Sequence, residues 1–183
     1  IFDAVLDEQQ SFIVMEYVPG STLEAFCKPS DLLPIDRVVE IIFKCTRALD
    51  YAHRAGITHR DIKPANILLV QKNGGGPDNA SPVKFTGDIK ISDFGAALIS
   101  SGEQTQVSGV GSPAYMSPQQ LRDEPLTQQT DIYSLGVVMY QLLTGRLPFE
   151  ASSHFGMIYQ ICNTEPPPPS MFRVDIPPGL ESV

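Results

Sequence analysis

Apolar and polar positions along the chain predict short strands first and helices later. In IFDAVLDEQQSFIVMEYV two apolar segments flank the polar DEQQ, the pattern of a β-hairpin. Pro19 and Gly20 break the second strand, and Ser21 or Thr22 is placed to cap a short helix through Leu23 and Phe26. From Pro34 to Ala55 the apolar positions Val38, Ile41, Ile42, Cys45, Ala48, Leu49 and Ala52 recur at helical spacing, and Gly56 supplies the stop. ILLV at 67–70 and IKIS at 89–92 read as strands. Residues 71–88 between them are rich in Gly, Asn and Pro and too many for a tight hairpin, so they read as a flexible excursion. The GGG within it lacks a following helix start and is no phosphate cradle. A loop rich in Ser, Thr, Gly and Gln covers 100–113. A second strong helix follows from Thr127 to Leu143, ended by Thr144 and Gly145, and a third spans Ser152 to Cys162. The proline run in TEPPPPS favours an extended path. The pattern predicts an α+β chain, a strand remnant followed by a mainly helical body.

Composition narrows the class. With 183 residues, 42% hydrophobic and 19% charged, the chain suits one globular domain with its own core. The net charge is −8 and the 13 Lys and Arg form no cluster, which argues against nucleic-acid binding. Cys27, Cys45 and Cys162 are too widely spaced for a metal knuckle or a disulfide framework. Cys45 lies among Ile41, Ile42 and Leu49 and reads as a small buried hydrophobe, in keeping with a reducing, cytoplasmic setting. The opening residues lack a signal peptide's basic leader, and IYSLGVVMYQLL at 132–143 is too short to span a bilayer, so no membrane segment is expected in this chain. A longer parent protein is still free to be anchored elsewhere.

The densest chemistry lies in HRDIKPAN, residues 59–66, just beyond the first long helix. Asp61 and Asn66 occupy a loop entered from a helix and left by a strand, and Asp93 follows the strand paired with it. Their side chains are therefore expected to converge at one edge. A carboxylate and an amide oxygen there suit Mg²⁺, a hard cation that keeps waters and substrate phosphates as further ligands. A separate carboxylate, Asp61, is available to accept a hydroxyl proton, and Lys63 to neutralise charge on a transferring phosphoryl group. An isolated loop aspartate is more often a turn-former or a cap, and only the surrounding motif weighs against that.

With these residues in place, the chain resembles the eukaryotic-type serine/threonine protein kinases, and the style of its hinge and docking segments points to a bacterial member. HRDIKPAN resembles the catalytic loop, DFG at 93–95 the metal-binding motif, and MEYV at 15–18 the hinge that holds adenine. GSPAYMSPQQ at 111–120 resembles the substrate-docking end of the activation segment, and DIYSLGVVMYQLLTGRLPF at 131–149 the central helix of the large lobe. The resemblance covers nearly the whole chain. It implies a kinase-like fold: residues 1–18 as a two-strand remnant of the small lobe with the hinge, and 19–183 as a large lobe without its last helices.

It also implies ATP and Mg²⁺ as cofactors and proteins with Ser or Thr acceptors as substrates. Asp61 would be the base, Lys63 the γ-phosphate contact, and Asn66 and Asp93 the metal ligands. The backbone of Glu16 and Val18 would bond adenine, with Met15 as gatekeeper and Leu68 beneath the ring. His59, Phe94 and Asp131 would be structural. Arg60 beside the base goes with control by phosphorylation, with Thr105 and Ser108 the best-placed acceptors, Ser100 and Ser101 behind them, and Ser112 an organising contact.

The chain departs from the family pattern at Gln119, where a glutamate is expected. It also carries neither a G-x-G-x-x-G loop nor a strand lysine before the hinge. A truncated catalytic region, inactive by itself, is therefore the first expectation. A pseudokinase-like scaffold is the alternative, and a small-molecule phosphotransferase a third reading.

Overall fold

The computed structural model describes residues 2–6, 11–70, 88–94 and 113–182. The expected hairpin is present: β1 (Asp3–Leu6) pairs antiparallel with β2 (Ser11–Val14), with Asp3 opposite Val14. A second sheet has the order β3 (Gly20–Thr22), β4 (Ile67–Val70), β5 (Ile89–Ile91), antiparallel throughout. Strand β3 departs from expectation, because Ser21 and Thr22 enter a ladder opposite Leu69 and Leu68 instead of capping a helix. The Thr22 side chain makes no cap bond, and the predicted helix is a single 3₁₀ turn over Leu23–Phe26. A strand this short has no periodicity to read; only its partner β4, distant in sequence, makes it one.

Helix α1 (Ile35–Arg54) buries Val38, Ile41, Cys45, Leu49 and Ala52 along one stripe and stops where Gly56 takes φ +75°. A short helix α2 (Pro118–Leu121) was not expected from periodicity. Helix α3 (Gln128–Thr144) starts at Thr127, whose side chain accepts from Gln129 N–H, and ends at Gly145 in the left-handed region. It is buried on most of its circumference, polar Thr130, Asp131 and Ser134 included, so it is the central helix of the body. Helix α4 (His154–Asn163) begins two residues later than its sequence pattern suggested, capped by Ser153, and α5 (Pro178–Glu181) closes the described chain.

The core lies where α1 and α3 meet the second sheet: Leu23, Ile41, Leu49, Ile67, Val138 and Leu142 are all fully buried. Each such side chain contributes roughly 1.5–3 kcal/mol by leaving water. Between the proline run and α5, Arg173 donates to the carbonyls of Leu33 and Leu143, tying the segment to the start of α1 and the end of α3. Among the described residues no helix is long and apolar enough to cross a membrane. Residues 71–87, and the candidate phosphorylation sites Ser100, Ser101, Thr105 and Ser108 together with Ser112, lie outside the described residues.

Candidate active site

The loop 57–66 leaves α1 and enters β4 through a 3₁₀ turn at Pro64–Asn66. Arg60 sits at φ 69°, a left-handed conformation that costs a non-glycine residue roughly 1–2 kcal/mol and persists only where surroundings hold it. The restraint comes from Asp131, in the first turn of α3 and fully buried. Its Oδ2 accepts from His59 N–H and its Oδ1 from Arg60 N–H, at 2.8 and 2.7 Å. His53, at the end of α1, donates Nε2–H to the same carboxylate at 2.8 Å. A buried carboxylate is tolerable when charge-assisted bonds satisfy it in this way.

His59 is buried too. Its Nε2 lies 2.8 Å from the carbonyl of Ser92, which only accepts, and its Nδ1 accepts from Asp61 N–H at 3.3 Å. One tautomer, with the proton on Nε2, satisfies both bonds, so the ring is fully engaged in linking the loop to the end of β5. Phe94 packs against it with ring centroids 4.5 Å apart.

Within this frame the loop's functional groups meet. Asp61 Oδ2 accepts from Lys63 Nζ at 2.8 Å and from Asn66 Nδ2 at 3.0 Å, while Asn66 Nδ2 also reaches the Asp61 carbonyl at 2.8 Å. Side-chain exposures of 35% and 42% for Lys63 and Asp61 mean that this ion pair adds little stability; it fixes direction and leaves both groups open to solvent. Asn66 itself is buried, and its Oδ1 accepts no hydrogen bond among the described residues.

Asp93 reaches the same edge by strand register. Ile67 is paired with Ile91, and Ser92 N–H donates to the Asn66 carbonyl at 2.9 Å, so Asp93 lies one residue past the partner of Asn66. It is exposed, at φ 63°, with Ser92 Oγ 3.4 Å from its Oδ2. An amide oxygen that accepts no hydrogen bond among the described residues and an exposed carboxylate on the adjoining strand are donor types that fit Mg²⁺, which takes one or two protein oxygens and fills its octahedron with water and phosphate.

Residues 15–18 follow β2 and precede β3. Their backbone enters no backbone hydrogen bond among the described residues. Met15, Glu16 and Tyr17 are exposed and Val18 half-buried. Glu16 pairs with Lys90 of β5, and Lys90 stands directly opposite Leu68 in the ladder. Ile67 and Leu69 are buried against the core, so Leu68 and Lys90 share the other face, the one turned to Glu16. Glu16 is thus tied to the strand pair that carries Leu68, and Asn66 and Asp93 lie at the end of the same two strands.

Two participants were missed in the sequence. His53 belongs to no motif in the sequence, and only the fold brings it to Asp131. Gln120 donates Nε2–H to the Arg60 carbonyl at 2.8 Å, and its Oε1 accepts from Ser117 N–H in a capping box. The spacing Ser117-x-x-Gln120 was the available signal for that cap. Gln119, the departure from the family pattern, is half-buried, and its carbonyl accepts from Arg122 and Glu124 N–H to close the turn after α2.

A central helix braces the left-handed loop, lysine and asparagine aim one carboxylate, and the neighbouring strand delivers a second at its end. The chain belongs to the protein kinase family: the protein kinase domain model matches residues 1–173. It is similar to a probable serine/threonine-protein kinase of Streptomyces coelicolor, 38% identical over 94% of this chain and 24% of the relative. The serine/threonine-protein kinase PknB of Mycolicibacterium smegmatis is likewise 38% identical, over 94% of this chain and 26% of its own length. The serine/threonine-protein kinase pkn3 of Myxococcus xanthus is 40% identical over 93% of this chain and 31% of its own length. The chain thus spans between about a quarter and a third of the length of these curated relatives.

Proposed function

We propose that the protein carrying this chain transfers the γ-phosphoryl group of ATP to serine or threonine hydroxyls of other proteins. The observation that carries the reading is the Asp61 carboxylate. It is held by Lys63 and Asn66, the backbone of the preceding His59 and Arg60 is braced from Asp131, and it stays partly open to solvent. In the transfer the acceptor oxygen forms the new P–O bond, the bond from the γ-phosphorus to the leaving ADP oxygen breaks, and the hydroxyl proton goes to Asp61. Lys63 supplies positive charge where the transferring group carries negative charge. Asn66 and Asp93 would hold Mg²⁺, which when bound neutralises the phosphate oxygens. Adenine would lie between the hinge and Leu68, bonded by the backbone of Glu16 and Val18 and bounded by Met15; in support, the backbone at 15–18 makes no backbone hydrogen bond among the described residues.

On this reading residues 1–18 are part of the small lobe with its hinge, and 19–183 belong to the large lobe. ATP as substrate and cysteines without disulfides suit a cytoplasmic setting. Asp61→Asn in the full-length protein tests the base: phosphate transfer to a protein substrate is expected to fall about 1000-fold or more, with ATP affinity within about threefold of wild type. Unchanged turnover refutes it. Tight ATP binding with no transfer by the wild-type protein would instead favour the scaffold reading.

A further inference from the structure

We infer that Gln120 is a positioning residue for Asp61, acting through the carbonyl of Arg60; this rests on Asp61 being the base. The peptide unit joining Arg60 to Asp61 sets where the Asp61 side chain leaves the backbone. Asp131 holds the two preceding units by their N–H groups, but it makes no bond to the Arg60 carbonyl. The hydrogen bond given to that carbonyl among the described residues comes from Gln120 Nε2 at 2.8 Å. On the other side of the same unit, the bond that Asp61 N–H makes among the described residues is a long one to His59 Nδ1, at 3.3 Å. Arg60 adds no anchor through its own Nε, which is buried without a partner among the described residues. A left-handed residue held on one side alone would be free to rotate the next peptide, and the Gln120 bond removes that freedom.

The carboxamide is itself locked. Gln120 Oε1 accepts from Ser117 N–H at 2.9 Å, Gln120 N–H donates to Ser117 Oγ at 3.3 Å, and Ser117 is fully buried. The side chain thus needs an acceptor at one end and a donor at the other, and an amide supplies both. A glutamate would keep the cap but turn a carboxylate oxygen toward the Arg60 carbonyl. Since α2 directly follows the 3₁₀ turn Pro113–Tyr115, Gln120 also couples the order of that segment to the geometry of the base.

Gln120→Glu and Gln120→Met, made in the full-length protein, separate capping from positioning. Phosphorylation of dephosphorylated casein is followed as kcat and as KM for ATP, alongside the thermal midpoint. Both variants are expected to lose about 10- to 100-fold in kcat, the cost of a misplaced reacting group, while KM for ATP stays within about twofold. The glutamate variant, which keeps the cap, is expected to unfold in one cooperative step within about 10 °C of wild type, so a loss of kcat there is not loss of fold. Wild-type kcat in Gln120→Glu with a loss confined to Gln120→Met would reduce the residue to a helix cap and overturn the inference. So would wild-type kcat in both. Should Asp61→Asn run in parallel retain full turnover, the assignment of the base has failed and the inference with it; a dead Asp61→Asn beside an active Gln120→Glu sinks the inference alone.

Discussion

Asp131 is the residue on which the site's geometry depends most, although it touches no substrate in the proposed reaction. It is fully buried and accepts from His59 N–H, Arg60 N–H and His53 Nε2. Removing it leaves buried donors without acceptors and a strained Arg60 without restraint. Asp131→Ala is therefore expected to lower stability by about 3–5 kcal/mol, read as a drop in the urea midpoint at unchanged slope. Asp61→Ala, at a half-exposed position, is expected to change the same midpoint by less than about 1 kcal/mol. At this scale the sequence was legible wherever chemistry demanded a residue type in a short span: Asp61, Lys63 and Asn66 lie within one loop and meet there. His53 and Gln120 were illegible because their partners lie 78 and 60 residues away.

The long helices owe their ends to glycine, and the two ends differ in what surrounds them. Gly56 and Gly145 both adopt positive φ, 75° and 72°. A Cβ on Gly56 would meet nothing within 4 Å, whereas one on Gly145 would lie 2.5 Å from the Pro29 nitrogen and 2.8 Å from the Lys28 carbonyl carbon. Gly56→Ala is expected to cost only the left-handed penalty, roughly 1 kcal/mol. Gly145→Ala adds a clash with backbone that has no side chain to move aside, and is expected to exceed ~2 kcal/mol. Equal thermal midpoints for the two variants would contradict this. Periodicity located α1 and α3 to within a residue or two because each carries an apolar stripe or run over many turns. Strand β3 and helix α2 were missed because three or four residues hold no period; β3 exists through its pairing with β4, and α2 through its capping box.

Across the whole molecule, burial has tuned groups outside the site. Burial pushes the Cys45 thiol up to about 12. Burial, with Glu24 nearby, raises Cys27 to about 11. Tyr115 is raised to about 12 by burial first, then by Cys27 and Glu24, against the bond its hydroxyl donates to Gln141. The ordinary thiol value is 9.0, so between there and about 12 the folded chain keeps protons that the unfolded chain has lost. Stability from these groups is complete below about pH 9 and declines as pH rises through that window. Urea midpoints are accordingly expected to be level from pH 7 to 8 and lower at pH 10, with Cys45→Ala reducing the slope above pH 9. A midpoint unchanged between pH 8 and pH 10 would contradict this.

The division between what was readable and what was not follows from range. Residue types, local spacing and apolar periodicity are properties of neighbours in the chain, so the sequence alone determined the kinase-like motifs, the long helices and the loop chemistry of Asp61, Lys63 and Asn66. Tertiary structure decided what those residues stand against. Asp131 comes from a helix some seventy residues on to hold the His59–Arg60 backbone, and Gln120 comes from α2 to hold the peptide before Asp61. Asp93 is brought beside Asn66 by the register of two strands. Each of these meetings depends on hydrogen bonds that form only once the α1–α3 core has closed, because only burial makes an unpaired donor costly enough to enforce them.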